Sequence, residues 1–70
     1  MQNNYKFNVK DVVYGDNKKW TVKERYILND VNHYECFRVE PIDEDGTVRK
    51  IFLYEKTFRE NDIDPVVVPF

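Results

Sequence analysis

Residue types that often stabilise small domains are scarce in this chain of 70 residues. A single cysteine, Cys36, excludes an internal disulfide, and one histidine with one cysteine cannot supply the usual four ligands of a zinc site. Alanine, the strongest helix former, does not occur at all. We therefore expect a single domain over residues 1–70 that is stabilised by its own side-chain core, with no cofactor and no metal.

An excess of one charge and a long apolar run are also missing. The net charge is −2 although 34% of the residues are charged, whereas a typical nucleic-acid-binding domain is basic. No apolar run approaches the roughly 20 residues that cross a bilayer, and the first residues do not resemble an export signal. Together with a free thiol, this predicts a cytoplasmic protein.

Aromatic and β-branched residues favour strands over helices. Five Phe, five Tyr and one Trp make up 16% of the chain. Turn-forming clusters at residues 15–17, 29–32, 43–46 and 60–62 separate runs that are typical of strands, and Asp45-Gly46 is a strong hairpin signal. Pro65 and Pro69 restrict the last strand to a sheet edge. This spacing predicts an all-β barrel or sandwich.

Four local features refine this prediction. Tyr5, Phe7 and Val9 alternate with polar residues, which predicts an extended lead with one apolar face. The apolar alternation changes phase near residues 26–28 and again within residues 34–40, which predicts bulges or bends. Residues 55–60 are expected to form one helical turn with Phe58 pointing inward. The apolar residues 66–70 are expected to add a strand or to dock on a partner.

Three segments resemble small SH3-like barrels, including the Tudor-like barrels of bacterial and phage proteins. Residues 7–13 (FNVKDVV) resemble the opening F-x-V-G-D-x-V of many such barrels, residues 20–22 resemble the start of their second strand, and residues 58–63 resemble their closing turn. The resemblance implies a five-stranded SH3-like barrel with one short helical turn before the last strand. Proteins of this kind are mostly of unknown function, so the resemblance implies a fold and no particular ligand.

The chain departs from that pattern at Lys10, and it lacks the motifs of two well-known classes of SH3-like barrel. Lys10 stands where the family usually has glycine, and a positive φ there would cost roughly 1 kcal/mol for lysine. The chain lacks the ALYDY-like stretch and the paired tryptophans of barrels that bind proline-rich peptides. The Gly-centred turn with basic neighbours of the ribosome-associated KOW barrels is not recognisable either.

Catalytic and metal-binding patterns are weak. His33 and Cys36 lie three residues apart in one predicted strand, so alternation places them on opposite faces. The acidic residues 43–45, with Glu40 nearby, are the kind of oxygen ligands that calcium prefers, but the complete EF-hand spacing is absent. We interpret Cys36 as a buried apolar residue and the acidic run as a solvated hairpin tip. The chain is therefore not expected to be an enzyme.

The surplus of aromatic residues is the main functional signal. Eleven aromatics exceed what so small a barrel must bury, so we expect exposed rings at Tyr14, Tyr34, Phe52 and Tyr54. With Trp20, these are the candidate ligand-binding residues, since exposed rings can hold a peptide or stack on bases. The alternative is that they cover a thin core or meet a second copy of the chain, as a weak homodimer.

Two functional hypotheses follow. The first is a non-catalytic module for protein–protein interaction, such as an adaptor or a small host-interacting protein. The second is a nucleic-acid-binding barrel, with the rings stacking on bases and a set of basic side chains contacting phosphates: Lys18, Lys19, Arg49 and Lys50.

Overall fold

The chain folds into one antiparallel β-sheet. The computed structural model describes residues 4–44 and 46–66, with the backbone alone at positions 43, 44 and 47–49. The five strands are β1 (Val12–Gly15), β2 (Lys18–Leu28), β3 (Val31–Glu44), β4 (Thr47–Arg59) and β5 (Asp64–Pro65). A 3-10 turn, Glu60–Asp62, precedes β5. The predictions of an all-β fold, of five strands and of a short helical turn before the last strand are confirmed.

The order of strands across the sheet is β4-β3-β2-β1-β5. Among the described strands, β4 pairs with β3 alone and β5 pairs with β1 alone. The sheet is therefore not closed, and a closed SH3-like barrel stays a prediction.

Tight two-residue turns connect the first three strands. Asp16 and Asn17 both have positive φ, at 52° and 62°, and so do Asn29 and Asp30, at 51° and 62°. Two successive positive φ values are typical of the type I′ turn, whose twist matches that of paired strands. Asn and Asp occupy these positions because they tolerate the left-handed region better than other residues with side chains. Gly46, at φ 77°, lies in the predicted third hairpin, and Asp45 lies outside the described residues.

The core lies on one face of the sheet. Alternate residues of the strands point to it, and the residues from 4 to 66 that are both apolar and buried are Phe7, Val13, Trp20, Val22, Tyr34, Cys36, Phe58 and Ile63. The rings of Trp20 and Phe58 meet edge to face, with their centroids 5.3 Å apart. Gly15 lies directly beneath this pair, and the indole N–H of Trp20 donates a 2.8 Å hydrogen bond to its carbonyl. Phe58 therefore points inward, as predicted.

The segment before β1 is held by a polar cluster around Tyr34. The hydroxyl of Tyr34 accepts hydrogen bonds from the backbone N–H groups of Lys6 and Phe7, and donates one of 2.5 Å to Glu60 Oε1. The same carboxylate oxygen accepts hydrogen bonds from the Lys6 N–H and the side-chain amide of Asn32. Burial raises the pKa of Tyr34, and the hydrogen bond to Glu60 raises it further. Tyr34 therefore stays protonated and ties the segment to the sheet.

This cluster predicts a loss of stability in acid. Burial raises the pKa of the Glu60 carboxyl, but the hydrogen bonds from Tyr34, Lys6 and Asn32 outweigh burial and leave the pKa below its usual value. A lowered pKa in the folded state gives stability that is present above the unfolded-state pKa of about 4.3 and is lost as the pH falls through the folded-state value. Urea unfolding from pH 7 to pH 3 should therefore show a declining stability that is less steep in Glu60→Gln. If the exposed control Glu35→Gln flattened the profile as much, this role of Glu60 would be wrong.

Lys10 adopts a left-handed backbone conformation that favours glycine. Its φ is 80°, while its N–H donates a 2.8 Å hydrogen bond to the carbonyl of Val22. We expect Lys10→Gly to raise the free energy of unfolding by about 0.5–1 kcal/mol, because relief of the left-handed strain exceeds the added entropy of the unfolded chain. Lys19→Gly should instead lower the free energy of unfolding by a similar amount, since Lys19 is extended within β2. Chemical unfolding of both variants measures these changes. A lower stability of Lys10→Gly would contradict the prediction.

The structure corrects four local predictions. The lead over residues 5–9 forms no strand, and Val9 is exposed. The irregularity in β2 lies between Val22 and Glu24, upstream of residues 26–28. The phase change within residues 34–40 is not a bulge of β3, because β3 stays in register with β4 there and carries apolar residues on both faces. The shift in its pairing with β2 places the extra residue on β2. Residues 55–59 continue β4, so the helical turn begins at Glu60.

Candidate functional site

The far part of the β3–β4 hairpin extends beyond the rest of the sheet. β2 pairs with β3 only from Val31 to Phe37, whereas β3 and β4 remain paired as far as Glu44 and Thr47. Residues 38–44 and 47–54 therefore form a two-stranded ribbon, which we call the arm. A hairpin without a third strand or a covering layer is marginally stable in water. The arm is thus the part of the sheet that gains most from a partner.

One face of the arm carries an apolar patch. Val39 lies opposite Leu53 and Pro41 lies opposite Ile51, and opposed residues of an antiparallel pair share a face. This face is turned away from the core, because Tyr34 and Cys36 occupy the other alternation of β3. Exposure reaches 55% for Val39, 57% for Leu53 and 69% for Ile51. We call these four residues the outer patch.

The other face of the arm carries a stack of rings around one arginine. The guanidinium of Arg38 lies 4.1 Å from the ring centre of Tyr54 and 5.2 Å from that of Trp20. The ring of Phe52 follows, with its centroid 6.3 Å from that of Tyr54. Arg38 also forms an ion pair with Glu40. We call Trp20, Arg38, Tyr54 and Phe52 the inner stack, and it continues the core face out along the arm.

The structure brings together three of the five predicted ligand-binding residues. Trp20, Tyr54 and Phe52 share the inner stack, although only Phe52 and Tyr54 are exposed and Trp20 is buried. Tyr14 is exposed on β1, with the ammonium of Lys19 5.8 Å from its ring centre. The prediction that Tyr34 is exposed is wrong, because its ring lies in the core and its hydroxyl anchors the N-terminal segment. Arg38, which links the rings, was not among the predicted site residues.

The predicted phosphate-binding residues are spread over different elements. Lys18 and Lys19 begin β2, while Lys50 lies on β4 opposite Ile42. The side chain of Arg49 lies outside the described residues. Over residues 38–54, three basic residues are outnumbered by four acidic ones, for a net charge of −1. The arm is therefore apolar and weakly acidic.

His33 and Cys36 occupy different environments. Cys36 is buried, and burial raises the pKa of its thiol to about 11, so little of it is thiolate at neutral pH. His33 stacks on Tyr26, with ring centroids 5.2 Å apart, and its Nδ1 lies 2.9 Å from the carbonyl oxygen of Val31. Within residues 4–44 and 46–66, no group of three His, Cys, Asp or Glu side chains is placed to hold a metal ion.

Two predicted features lie outside the described residues. They are the side chains of the acidic run 43–45 and the C-terminal residues 67–70. In the part of the chain that the structure describes, no helix is long and apolar enough to span a membrane.

Comparison with known proteins yields no relative. No family model matches the chain, and neither the curated proteins nor the solved structures include a significant match.

Proposed function

We propose that this chain is a non-catalytic protein-binding module, an adaptor or host-interacting protein, whose contact surface is the arm. The observation that carries the proposal is a two-stranded ribbon with exposed apolar side chains on both faces. Contiguous apolar surface of this kind is unfavourable in water and is a recurring mark of protein–protein interfaces. The outer patch supplies apolar area, and the inner stack supplies the aromatic and arginine side chains that are enriched among interface hot spots.

We further propose that the sheet curves as a small SH3-like barrel. The strand order, the turn before β5 and the irregularity of β2 between Val22 and Glu24 support this proposal. A bulge increases the local twist of a strand and lets it serve two half-sheets. In such a barrel, the arm is the hairpin of β3 and β4, prolonged beyond the body of the domain.

Partner capture by two matched variants tests the binding function. Val39 lies in the outer patch, and Val31 is an exposed valine on the same strand but outside the arm. With the immobilised protein and a lysate of its source cells, Val39→Asp is expected to lower capture of specific proteins at least tenfold, because a buried carboxylate has no counter-ion there. Val31→Asp should capture as well as the original chain. Equal capture by all three proteins, or none above background, would contradict the proposal.

A nucleic-acid module is the second candidate, and one observation favours it. Lys50 belongs to the same alternation of β4 as Phe52 and Tyr54, which combines a cation with exposed rings on one face. An NMR titration with a mixed single-stranded oligonucleotide distinguishes the candidates. Shifts confined to these residues that fade with added salt would favour nucleic acid, whereas the net charge of the arm leads us to expect none.

A further inference from the structure

The outer edge of β4 is an unprotected strand edge. Within the described sheet, β4 pairs with β3 alone, so its other edge presents free N–H and C=O groups. Proteins usually protect such edges with charges, prolines or bulges. Residues 51–54 carry neither a charge nor a proline, and the register shift at Ile42/Asp43 places the nearest bulge at Arg49, before this segment. The segment is therefore suited to pairing with another strand.

We propose that the strand is β4 of a second copy of this chain, paired antiparallel about a twofold axis at Phe52. The inference rests on the proposed function, because it makes the contact surface from two arms. The pairing would join two marginally stable two-stranded arms into one four-stranded sheet. Three or more strands are needed for a sheet to be stable by itself. Only Phe52 would lie opposite itself, and each remaining pair would occur twice, as the symmetry of a homodimer requires.

Charge and polarity favour this register. With the axis at Phe52, Ile51 lies opposite Leu53 of the second copy, and Lys50 lies opposite Tyr54. Apolar residues then meet apolar ones, and an ammonium meets an aromatic ring. This pairing needs only residues 50–54, which are in regular register with β3.

Symmetric pairing centred on a neighbouring residue of β4 gives less favourable cross-strand contacts. An axis at Leu53 sets Lys50 opposite Lys56 of the second copy, and like charges that face each other across strands are destabilising. An axis at Tyr54 sets Phe52 opposite Lys56 and Leu53 opposite Glu55, which places apolar side chains against charged ones. An axis at Ile51 brings the bulged position 49 into the pairing. Among the registers centred within residues 51–54, the one at Phe52 is therefore the most self-complementary.

Pairing of this kind leaves both faces of the arm available. The outer patches of two copies become contiguous where Ile51 meets Leu53 of the second copy, and the inner stacks meet at Phe52. Five paired residues from each chain make an interface well below the standard size of about 800 Å² per partner. We therefore expect a dimer with a dissociation constant on the order of micromolar or weaker, and a larger apolar surface for a third protein.

Disulfide cross-linking tests the register. Phe52→Cys places two thiols opposite each other, at the separation of about 4.5–5.5 Å between Cα atoms that a disulfide spans. Diamide takes up the two electrons and two protons when the S–S bond forms. In the full chain, Phe52→Cys should give a covalent dimer at least tenfold faster than the matched control Tyr54→Cys, on the same face. The native Cys36 is buried, so the original chain should form no covalent dimer under these conditions.

Sedimentation velocity of the original chain from 10 to 500 µM provides the second measurement. The expected result is a shift from monomer to dimer with concentration. A monomer at every concentration, or equal cross-linking rates for the two variants, would overturn the pairing. The Val39→Asp result is independent, since Val39 lies on β3 and not on the pairing edge. If Val39→Asp loses capture but the original chain is monomeric, only the proposed dimer is wrong. If the chain dimerises but captures no protein, only the proposed binding function is wrong.

Discussion

Phe58→Ala is expected to leave most of the chain unfolded at 25 °C. Phe58 is 4% exposed, its ring packs edge to face with that of Trp20, and it covers Gly15. Truncation of a buried Phe removes about 3–5 kcal/mol, which is comparable to the whole stability of a domain this small. Circular dichroism and urea unfolding measure the loss, and the stability should be too low for a folded baseline.

Phe52→Ala is the matched control for that variant. It removes the same side chain from the same strand, but Phe52 is 54% exposed on the arm. We expect a change in the free energy of unfolding within about 0.5 kcal/mol. Similar losses in the two variants would contradict the placement of the core at the base of the hairpin and of the arm outside it.

Gly15→Ala is expected to destabilise the protein by about 1–3 kcal/mol through overpacking. A Cβ at position 15 would lie 2.8 Å from Cζ of Phe58, closer than real Cβ contacts, and 3.0 Å from Cγ2 of Ile63, which is also tight. The backbone around Gly15 is also fixed by the indole of Trp20, so it cannot easily move away. The midpoint of urea unfolding is the measurement.

A second substitution shows whether the ring is the cause. Phe58→Leu removes the ring atoms that approach position 15, so the double variant Gly15→Ala/Phe58→Leu should be more stable than the sum of the two single effects predicts. The expected coupling is about 0.5–2 kcal/mol in the stabilising direction. Additive losses would show that the strain at Gly15 lies elsewhere.

The strand content was predictable because its signals are local. Asn and Asp at two of the turns adopt the positive φ values that type I′ hairpins need, and β-branched and aromatic runs lie between the turns. The positive φ at Lys10 was also anticipated, because the resemblance to SH3-like barrels implied glycine at that position. These features depend on a few neighbouring residues and not on the packing of distant ones.

Burial and strand length were less predictable because they depend on distant partners. The residues next to Tyr34 in sequence do not show whether its ring is buried. Its burial depends on distant partners, namely Glu60 and the backbone at Lys6 and Phe7. Residues 55–59 have no strong turn signal, and their pairing with β3 extends β4 where a helical turn was expected.

The arm was only partly predictable. Phe52 and Tyr54 were among the predicted site residues, because the surplus of aromatic residues predicted exposed rings. The extent of the arm was not readable, because it depends on where pairing between β2 and β3 stops, at Phe37. Arg38 was missed for a related reason, since only the register of the hairpin sets it opposite Tyr54.

Site-specific photo-cross-linking shows whether the arm contacts another protein in the cell. A benzophenone amino acid would replace Val39 in the outer patch or Val31 at the opposite end of the same strand, and each protein would be irradiated in its source cells. We predict a discrete adduct with another protein at position 39 that is absent at position 31. No adduct at position 39, or the same adducts at both positions, would contradict the account of the arm as a protein-binding surface.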